Sequence, residues 1–504
     1  MLKSIARNTA LSTVAFGVTG LVGLLLMPIL IKAFGLAAFG LITLSRSLLP
    51  AAVLSMGDLG ASETTTQAVG RARGSGDWKR AAEQISFLLV LTSVVGVTLA
   101  AVLWFGTGPL LTLFRVPEVD HSSFGTALRI TALSLILLFP ALIVEGVAKG
   151  MERFDVLRSA EIISVLGYAA GSLLAIGVKY PYTVIIYLYL GSLLIKYVIV
   201  LLFIWTDIRD RLGLCSWSPA TRKETLHRSA LMVQSKVLGA VQLQLPTIAV
   251  GSLVGPAGVG TYELVVRIPR FLKATLGLLA TSVVPVAARL EGAGDRRNVA
   301  RMAAVSFWFV PFATFPILFG TAAMSPVILD VWIGIEYADL WVWLAAMLGA
   351  TGASICLTAA QSMLLIRKDY LRSTNRLYLL GTVIQYAVSL VGVRWLGSMS
   401  FVLGAALAAL LTFPAHTRLI RRELELQPDA VSRPLSSHLG FAAASSVLMG
   451  FIMSKMEPHS TTMLVAVLAL WLTLYWTAAY ILLLGERERG LIHRFAFSLL
   501  PSRG

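Results

Sequence analysis

Four charged side chains and a proline interrupt an apolar run in the stretch ELVVRIPRFLK, from Glu263 to Lys273. Glu263, Arg267 and Arg270 are spaced i, i+4, i+7, which places them on one face of a helix, and Lys273 follows three residues later. A charge at the centre of a bilayer costs at least about 3 kcal/mol, so such residues face protein or a water-filled cavity. Cations that outnumber the nearby acids predict an anionic ligand, and the planar fork of arginine suits diphosphate oxygens.

The composition of the whole chain indicates that this run lies in a membrane. The chain has 504 residues, of which 57% are hydrophobic and 13% charged, and its mean hydropathy is +0.80. A soluble protein carries about 25% charged residues. Cys215 and Cys356 lie far apart and match neither a metal-binding spacing nor a disulfide framework.

About fourteen apolar runs are long enough to cross a bilayer. We expect helices throughout, because only helices and closed barrels satisfy their backbone in lipid. The sequence therefore predicts an all-α integral membrane protein with spans near 10–32, 37–60, 82–104, 125–147, 159–178, 182–205, 229–252, 259–285, 303–325, 340–363, 376–395, 399–417, 439–455 and 461–484.

The net charge of +16 has a membrane explanation. Lys and Arg concentrate in alternate connections, as at Arg71, Arg153 and Arg296, whereas the opposite connections hold few, such as Arg115. The positive-inside rule then predicts that both termini are cytoplasmic, and no nucleic-acid partner is needed to account for the charge.

Three pairs of segments recur in order at a nearly constant offset. RFDVLRS at residue 153 returns as RKDYLRS at 367, GSGDWKR at 74 returns as GAGDRRN at 292, and a pair of glycines five residues apart before span 2 returns before span 8. The offset equals six spans, which predicts two parallel repeats. The expected domains are an N-lobe (1–206), a cytoplasmic linker (207–228), a C-lobe (229–420), a second linker (421–438), two further spans (439–484) and a cytoplasmic tail (485–504).

Further polar residues lie inside spans and are candidates for the same anion site. Arg46 in span 2 lies at nearly the same depth as Arg267 in its repeat partner, span 8, while span 7 contributes Lys236 and Gln242 and span 6 contributes Lys196. Two-lobed transporters place such residues around a cavity between the lobes. Lys196 could equally be structural or lie at the rim of the cavity.

Ordinary explanations also remain open for the residues of span 8 and for the acids. Glu263 and Arg267 could form a simple i,i+4 pair, and Lys273 could extend along a neighbouring helix. Asp58, Glu145 and Glu263 are candidate carboxylates for H⁺ or Na⁺ coupling. Such acids can also pair with loop arginines or cap helices.

Several enzyme signatures are absent from the sequence. No G-x-x-x-x-G-K-[ST] or H-E-x-x-H motif occurs, and the connections predicted to lie outside are short. We therefore expect no bound cofactor and no enzyme activity of the chain itself.

The stretch NTALSTVAFGVTGLVGLLLMPILIKAFGLAAFGLITLSRSLLPAAVLSMGDLG, from residue 8 to 60, resembles the first two spans of polysaccharide flippases in the multidrug/oligosaccharidyl-lipid/polysaccharide (MOP) exporter superfamily. KGMERFDVLRS at 149–159 resembles the basic span 4–5 loop of the polysaccharide transporter family, and VGSLVGPAGVGTYELVVRI at 250–268 resembles its span 7–8 hairpin. One departure is QLQLPTIAVGS at 242–252, where members often carry an acid; this puts a coupling carboxylate on span 7 in doubt.

The resemblance implies transport of undecaprenyl-diphosphate-linked oligosaccharide from the cytoplasmic to the periplasmic leaflet of the bacterial inner membrane, by alternating access. It would serve O-antigen, exopolysaccharide or capsule synthesis, with a glycan polymerase and glycosyltransferases as further partners. Spans 13 and 14 could hold the polyprenyl tail. Two alternatives remain at this stage, a cation-coupled multidrug antiporter of the same superfamily and a membrane-bound polysaccharide polymerase or ligase.

Overall fold

The computed structural model is helical in almost every segment it describes, and no β-strand occurs among the described residues. Those residues are 2–49, 60–213, 215–226, 241–281, 287, 290–291, 293–364, 367–456 and 461–499. Within them, eleven helices are long and apolar enough to cross a membrane. The predicted all-α membrane protein is thereby confirmed.

The helices follow one another with short connections. The first series is α1 Leu2–Ser47, α2 Ala61–Ser75, α3 Trp78–Phe105, α4 Thr107–Leu113, α5 Glu118–Gly150, α6 Phe154–Gly177, α7 Tyr182–Arg211, α8 Leu245–Leu253 and α9 Pro256–Thr281. The second is α10 Arg296–Ala323, α11 Ser325–Trp332, a 3-10 helix Ile335–Leu340, α12 Trp341–Leu364, α13 Lys368–Leu396, α14 Met399–Glu423, α15 Pro428–Met456, α16 Thr461–Leu482 and α17 Glu486–Leu499.

The predicted break between the first two spans falls at Gly35, where two helical stretches of α1, Leu2–Ser47, meet at a kink. Gly35 has φ 83° and ψ 165°, which is not a helical conformation. Glycine adopts this backbone conformation without the penalty that a Cβ atom would bring. The end of the second predicted span, at 50–59, lies outside the described residues.

Predicted spans 7 and 8 are the least regular part of the pattern. Residues 227–240 lie outside the described residues, and α8 forms the remainder of span 7. Helix α9 continues through Pro269 and carries all four charges of ELVVRIPRFLK. Those charges explain why α9 is not among the eleven apolar helices.

The chain divides into two compact units. Unit 1 comprises Met1–Leu264 with Val393–Ser398, and unit 2 comprises Val265–Gly392 with Met399–Gly504. The lobe boundaries deduced from the repeat stay a prediction.

In unit 1, part of the predicted cytoplasmic linker is fixed to α3. The backbone N–H of Cys215 donates to Ser86 Oγ at 3.1 Å, and Thr221 Oγ1 donates to Glu83 Oε2 at 2.8 Å. The Trp217 ring packs edge-on against Phe87, with 5.6 Å between the ring centroids. Residues 215–221 are therefore packed against this helix.

In unit 2, α15 and α16 pack against α10 through backbone carbonyls as well as apolar side chains. Pro316 has no N–H, so it cannot supply the helical hydrogen bond to the Phe312 carbonyl four residues earlier. Trp476 Nε1 donates to that carbonyl at 3.0 Å, and Trp471 Nε1 donates to the Pro316 carbonyl at 2.9 Å. From α15, Ser446 Oγ donates to the Phe319 carbonyl at 3.1 Å. Predicted spans 13 and 14 are thus bonded directly to α10.

The Gly-Asp steps within GSGDWKR and GAGDRRN, at 76–77 and 294–295, share one backbone conformation. Asp77 caps α3 with φ −81° and ψ 69°, and Asp295 caps α10 with φ −83° and ψ 66°. Each carboxylate accepts from the backbone N–H three residues later, at 3.1 and 3.2 Å. The preceding glycines, Gly76 and Gly294, have φ 81° and 75°. The sequence repeat therefore corresponds to a local structural repeat.

The glycines of the third repeated pair bring α1 and α9 into contact within unit 1. A Cβ atom on Gly40 would overlap the Pro256 carbonyl, and one on Gly260 would lie 2.6 Å from the Leu36 carbonyl oxygen. The contact is reciprocal, because Leu36 and Pro256, like Gly40 and Gly260, are 220 residues apart. Any larger residue at either glycine would force the two backbones to separate.

Candidate functional site

Arg46, close to the end of α1, is held between two tyrosine rings. Its guanidinium carbon lies 4.9 Å from the ring centroid of Tyr168 on α6 and 4.3 Å from that of Tyr189 on α7. Its Nη2 also donates to the Tyr168 hydroxyl. The two rings meet edge to face, with 5.4 Å between centroids. Cation–π attraction of this kind is strongest where water is excluded, and the Tyr168 side chain is only 6% exposed.

The hydrogen bonds of Arg46 are incomplete. A guanidinium has five N–H donors in a rigid fork. One atom, Nε, is buried and has no hydrogen-bond partner among the described residues, and Arg46 forms no ion pair with a carboxylate of those residues. A buried donor without a partner is costly. The guanidinium is therefore held in place by aromatic rings with donors still available for an anion.

Lys196 and Glu145, predicted with different roles, form a direct pair. Lys196 Nζ on α7 lies 3.1 Å from Glu145 Oε2 on α5, and Lys149 Nζ lies 2.8 Å from Glu145 Oε1. The Tyr197 hydroxyl donates to Glu145 Oε2 at 3.2 Å. The carboxylate thus bonds two ammonium groups and one phenol, and this cluster of Glu145, Lys149, Lys196 and Tyr197 keeps one net positive charge. Lys196 stays a proposed ligand residue, and its ammonium is already paired.

The residues of α9 keep the spacing that the sequence predicts. Glu263 is 2% exposed, and one of its oxygens accepts from Thr247 Oγ1 at 3.2 Å. Arg267 and Arg270 are half-buried, whereas Lys273 is exposed. Because α9 is continuous, the first three of these charges share one helix face.

Three predicted residues remain, and the structure describes one of them. Gln242 is half-buried, just before α8. Lys236 and Asp58 lie outside the described residues.

Sequence reasoning missed the tyrosines that hold the candidate cations. Tyr189 and Tyr197 belong to YLYLGSLLIKY, a tyrosine-rich stretch of span 6, and Tyr168 stands alone in span 5. Tyrosine inside a span is a usable signal, because its ring binds cations. The sequence could not say which cation each ring would meet.

The fold is that of MOP-superfamily membrane transporters. A lipid II flippase, MurJ, in an inward closed conformation aligns with a TM-score of 0.70 and 12% identity, over 96% of this chain and 99% of that chain. An inward-facing multidrug resistance transporter of the MATE family aligns with a TM-score of 0.58 and 15% identity, over 82% and 95% of the two chains. A MOP-superfamily transporter from Pyrococcus furiosus aligns at 0.53 and 15%, over 84% and 97%. The predicted resemblance to this superfamily is confirmed.

The sequence itself matches the family described as polysaccharide biosynthesis protein over residues 5–291. The chain belongs to this family. A search of curated proteins finds no match.

Proposed function

We propose that the protein is a flippase that moves undecaprenyl-diphosphate-linked oligosaccharide from the cytoplasmic to the periplasmic leaflet of the bacterial inner membrane, by alternating access. Membership of the polysaccharide biosynthesis family supports a glycan substrate. The similarity in fold to a lipid II flippase, which extends over 96% of the chain, supports a lipid-linked substrate.

The single observation that carries the chemical part of this proposal is the tyrosine-held guanidinium of Arg46. A diphosphate offers acceptor oxygens in a geometry that a guanidinium fork binds with two parallel hydrogen bonds. The buried Nε of Arg46 lacks a partner among the described residues, and an incoming phosphate oxygen would supply one. Arg267, Arg270, Lys236 and Lys273 are proposed to add positive charge to the same binding function.

The proposed orientation rests on the distribution of basic residues. Both termini are assigned to the cytoplasm, because the connections rich in Lys and Arg alternate with connections that are poor in them. Coupling to H⁺ or Na⁺, and contact with a glycan polymerase or glycosyltransferases, belong to the proposal as well.

The discriminating experiment is complementation in a deletion strain. Loss of the protein is expected to leave lipid-linked oligosaccharide on the cytoplasmic face and to abolish surface polysaccharide. Arg46→Ala should fail to restore export at normal protein level in the membrane, whereas Arg46→Lys should restore part of it, because a lysine keeps the charge but loses the bidentate fork.

Arg129→Ala is the matched control. Arg129 also stacks on an aromatic ring in unit 1, with 5.9 Å to the Trp104 centroid, but it is exposed and lies in no predicted site. It should export normally. Normal export by Arg46→Ala would refute the anion-binding role of Arg46. Accumulation of a drug but not of lipid-linked oligosaccharide in the deletion strain would favour the antiporter alternative.

A further inference from the structure

A polar seam joins α13 and α14 inside unit 2. Every fourth residue of α14 along one face is small or polar, and these residues are Ser400, Gly404, Ala408, Thr412 and His416. The two helices touch there, since a Cβ atom on Gly404 would lie 2.4 Å from both the Gln385 carbonyl oxygen and Ser389 Oγ. Ser389 Oγ donates to the Gln385 carbonyl at 2.7 Å and lies 3.3 Å from the Ser400 carbonyl oxygen. At 1.5 Å per residue the seam is about 24 Å long, close to the thickness of a hydrocarbon core, about 30 Å.

The seam ends at a histidine that bonds to residues of two other helices. His416 is 5% exposed. Its Nδ1 lies 3.3 Å from Gln361 Nε2 on α12, and the Tyr378 hydroxyl on α13 lies 3.2 Å from Gln361 Oε1. The Tyr378 and His416 rings pack against each other, with 5.0 Å between centroids. One titratable imidazole is thus buried at the meeting point of three helices.

The arrangement fits one tautomer of the neutral histidine. The Tyr378 hydroxyl donates to Gln361 Oε1, which leaves the Gln361 amide N–H to face His416 Nδ1. Nδ1 accepts this bond in the tautomer whose hydrogen is on Nε2.

The same three side chains can also hold an imidazolium. If Nδ1 gains a proton, a half-turn of the Gln361 amide presents Oε1 to the new N–H and Nε2 to the Tyr378 oxygen, which then accepts. No hydrogen bond of the triad is lost, and each one reverses its direction. A buried charge otherwise loses its hydration without compensation.

We propose that His416 is the proton-binding site that couples the transport cycle to the proton gradient. One proton leaves hydronium and forms the Nδ1–H bond, and its release later in the cycle restores the neutral ring. The coupling role rests on the proposed transport function, whereas the binding of a proton does not.

Other titratable groups on the neighbouring helices are placed differently. On α13, Tyr378 is the contact already described, and Tyr370 lies two turns away within a separate apolar cluster. Tyr386 packs edge-on against Phe401, and Arg372 and Arg376 precede Tyr378 along the helix. On α12, Cys356 packs in another apolar cluster. On α15, His438 faces the Phe312 ring, with 6.4 Å between ring centroids. The charged residues of α14 itself, Arg418, Arg421, Arg422 and Glu423, follow His416 at the end of the helix.

A titration that needs no substrate tests the site. Infrared difference spectra of the reconstituted full chain, recorded between pH 5 and pH 8, should contain an imidazole signal that His416→Gln removes. His438→Gln is the matched control, because His438 is equally buried but contacts no residue of the triad, and it should leave that signal in place. Tyr378→Phe should shift the midpoint of the signal, because it removes the group that accepts from the amide in the protonated state. Spectra of His416→Gln that equal those of the wild type would overturn the proposal.

Transport measurements then test the coupling. In proteoliposomes with an imposed pH gradient, wild-type flux of lipid-linked oligosaccharide should change with pH by up to about tenfold per unit over the titration range. The flux that remains in His416→Gln should lose that dependence, whereas His438→Gln should retain it. An unchanged pH dependence in His416→Gln would overturn the coupling role. Absence of any flux in the wild type would refute the proposed function instead, and the infrared result would still decide whether His416 binds a proton.

Discussion

The tryptophan contacts between α16 and α10 allow a hydrogen bond inside the membrane to be measured by a double-mutant cycle. The first perturbation is Trp476→Phe, which removes the indole N–H that lies 3.0 Å from the Phe312 carbonyl. The second is Pro316→Ala, which returns to α10 the N–H that normally serves a carbonyl four residues earlier. With proline at 316, the Trp476 indole N–H replaces the missing backbone donor. With alanine at 316, the backbone N–H of that residue can donate to the Phe312 carbonyl.

The expected magnitude follows from what Trp476→Phe leaves behind. In an otherwise wild-type chain, Trp476→Phe leaves the Phe312 carbonyl without a donor in an apolar environment, which costs about 1–3 kcal/mol. In the Pro316→Ala background the carbonyl keeps a donor, and only the packing loss of the smaller ring remains. The cycle should therefore give a coupling energy of about 1 kcal/mol or more between positions 476 and 316.

Trp471→Phe provides the matched cycle. Trp471 donates to the Pro316 carbonyl at 2.9 Å, and that carbonyl also has a helical donor four residues on, at Gly320. The same proline substitution should therefore leave the cost of Trp471→Phe nearly unchanged, within about 0.5 kcal/mol.

The free energy of unfolding can be measured by titrating an unfolding detergent into micelles of the purified full chain. A coupling energy in the Trp476 cycle that is no larger than in the Trp471 cycle would refute the reasoning. It would mean that Phe312 does not depend on the indole.

Two further predictions concern packing and pH. Gly40→Ala should destabilise the protein by about 1–3 kcal/mol because its Cβ atom would overlap the Pro256 carbonyl. Gly167→Ala is the control and should not destabilise it, because a Cβ atom there meets nothing within 4 Å. Thermal unfolding compares the two variants, and equal midpoints would contradict the close contact at Gly40. The bidentate bond from Arg367, at 2.8 and 2.9 Å, lowers the pKa of Glu291, so Glu291→Gln should lower the unfolding midpoint near pH 7. Its difference from the wild type should shrink as the pH falls through that lowered pKa, and a difference that grows on acidification would show that the pair does not stabilise the fold.

The sequence predicted the helices well, because crossing lipid imposes a length and an apolar composition on each span. It also located the polar residues, since charges in apolar runs are easily seen. It also placed the break between the first two spans at Gly35, where α1 kinks. It did not show that the two helical stretches join there without an intervening loop.

Partners were harder to predict than positions. Arg46 was identified from sequence, but its tyrosine contacts were not, because Tyr168 and Arg46 are 122 residues apart. Lys196 and Glu145 were assigned separate roles, and they form one ion pair across 51 residues. Such pairings depend on which helix faces meet, and a single sequence does not contain that information.

The reciprocal contact of Gly40 with Pro256 and of Gly260 with Leu36 has a consequence for the origin of the chain. Two identical subunits related by a twofold axis meet in this way, with the same pair of residues used once from each side. The contact is therefore what a dimer of half-length ancestors would have left after their genes were duplicated and fused. In such a dimer one glycine codon would have served both contacts, because the two subunits were identical. In the fused chain Gly40 and Gly260 are separate positions, and each must be kept for the contact to persist.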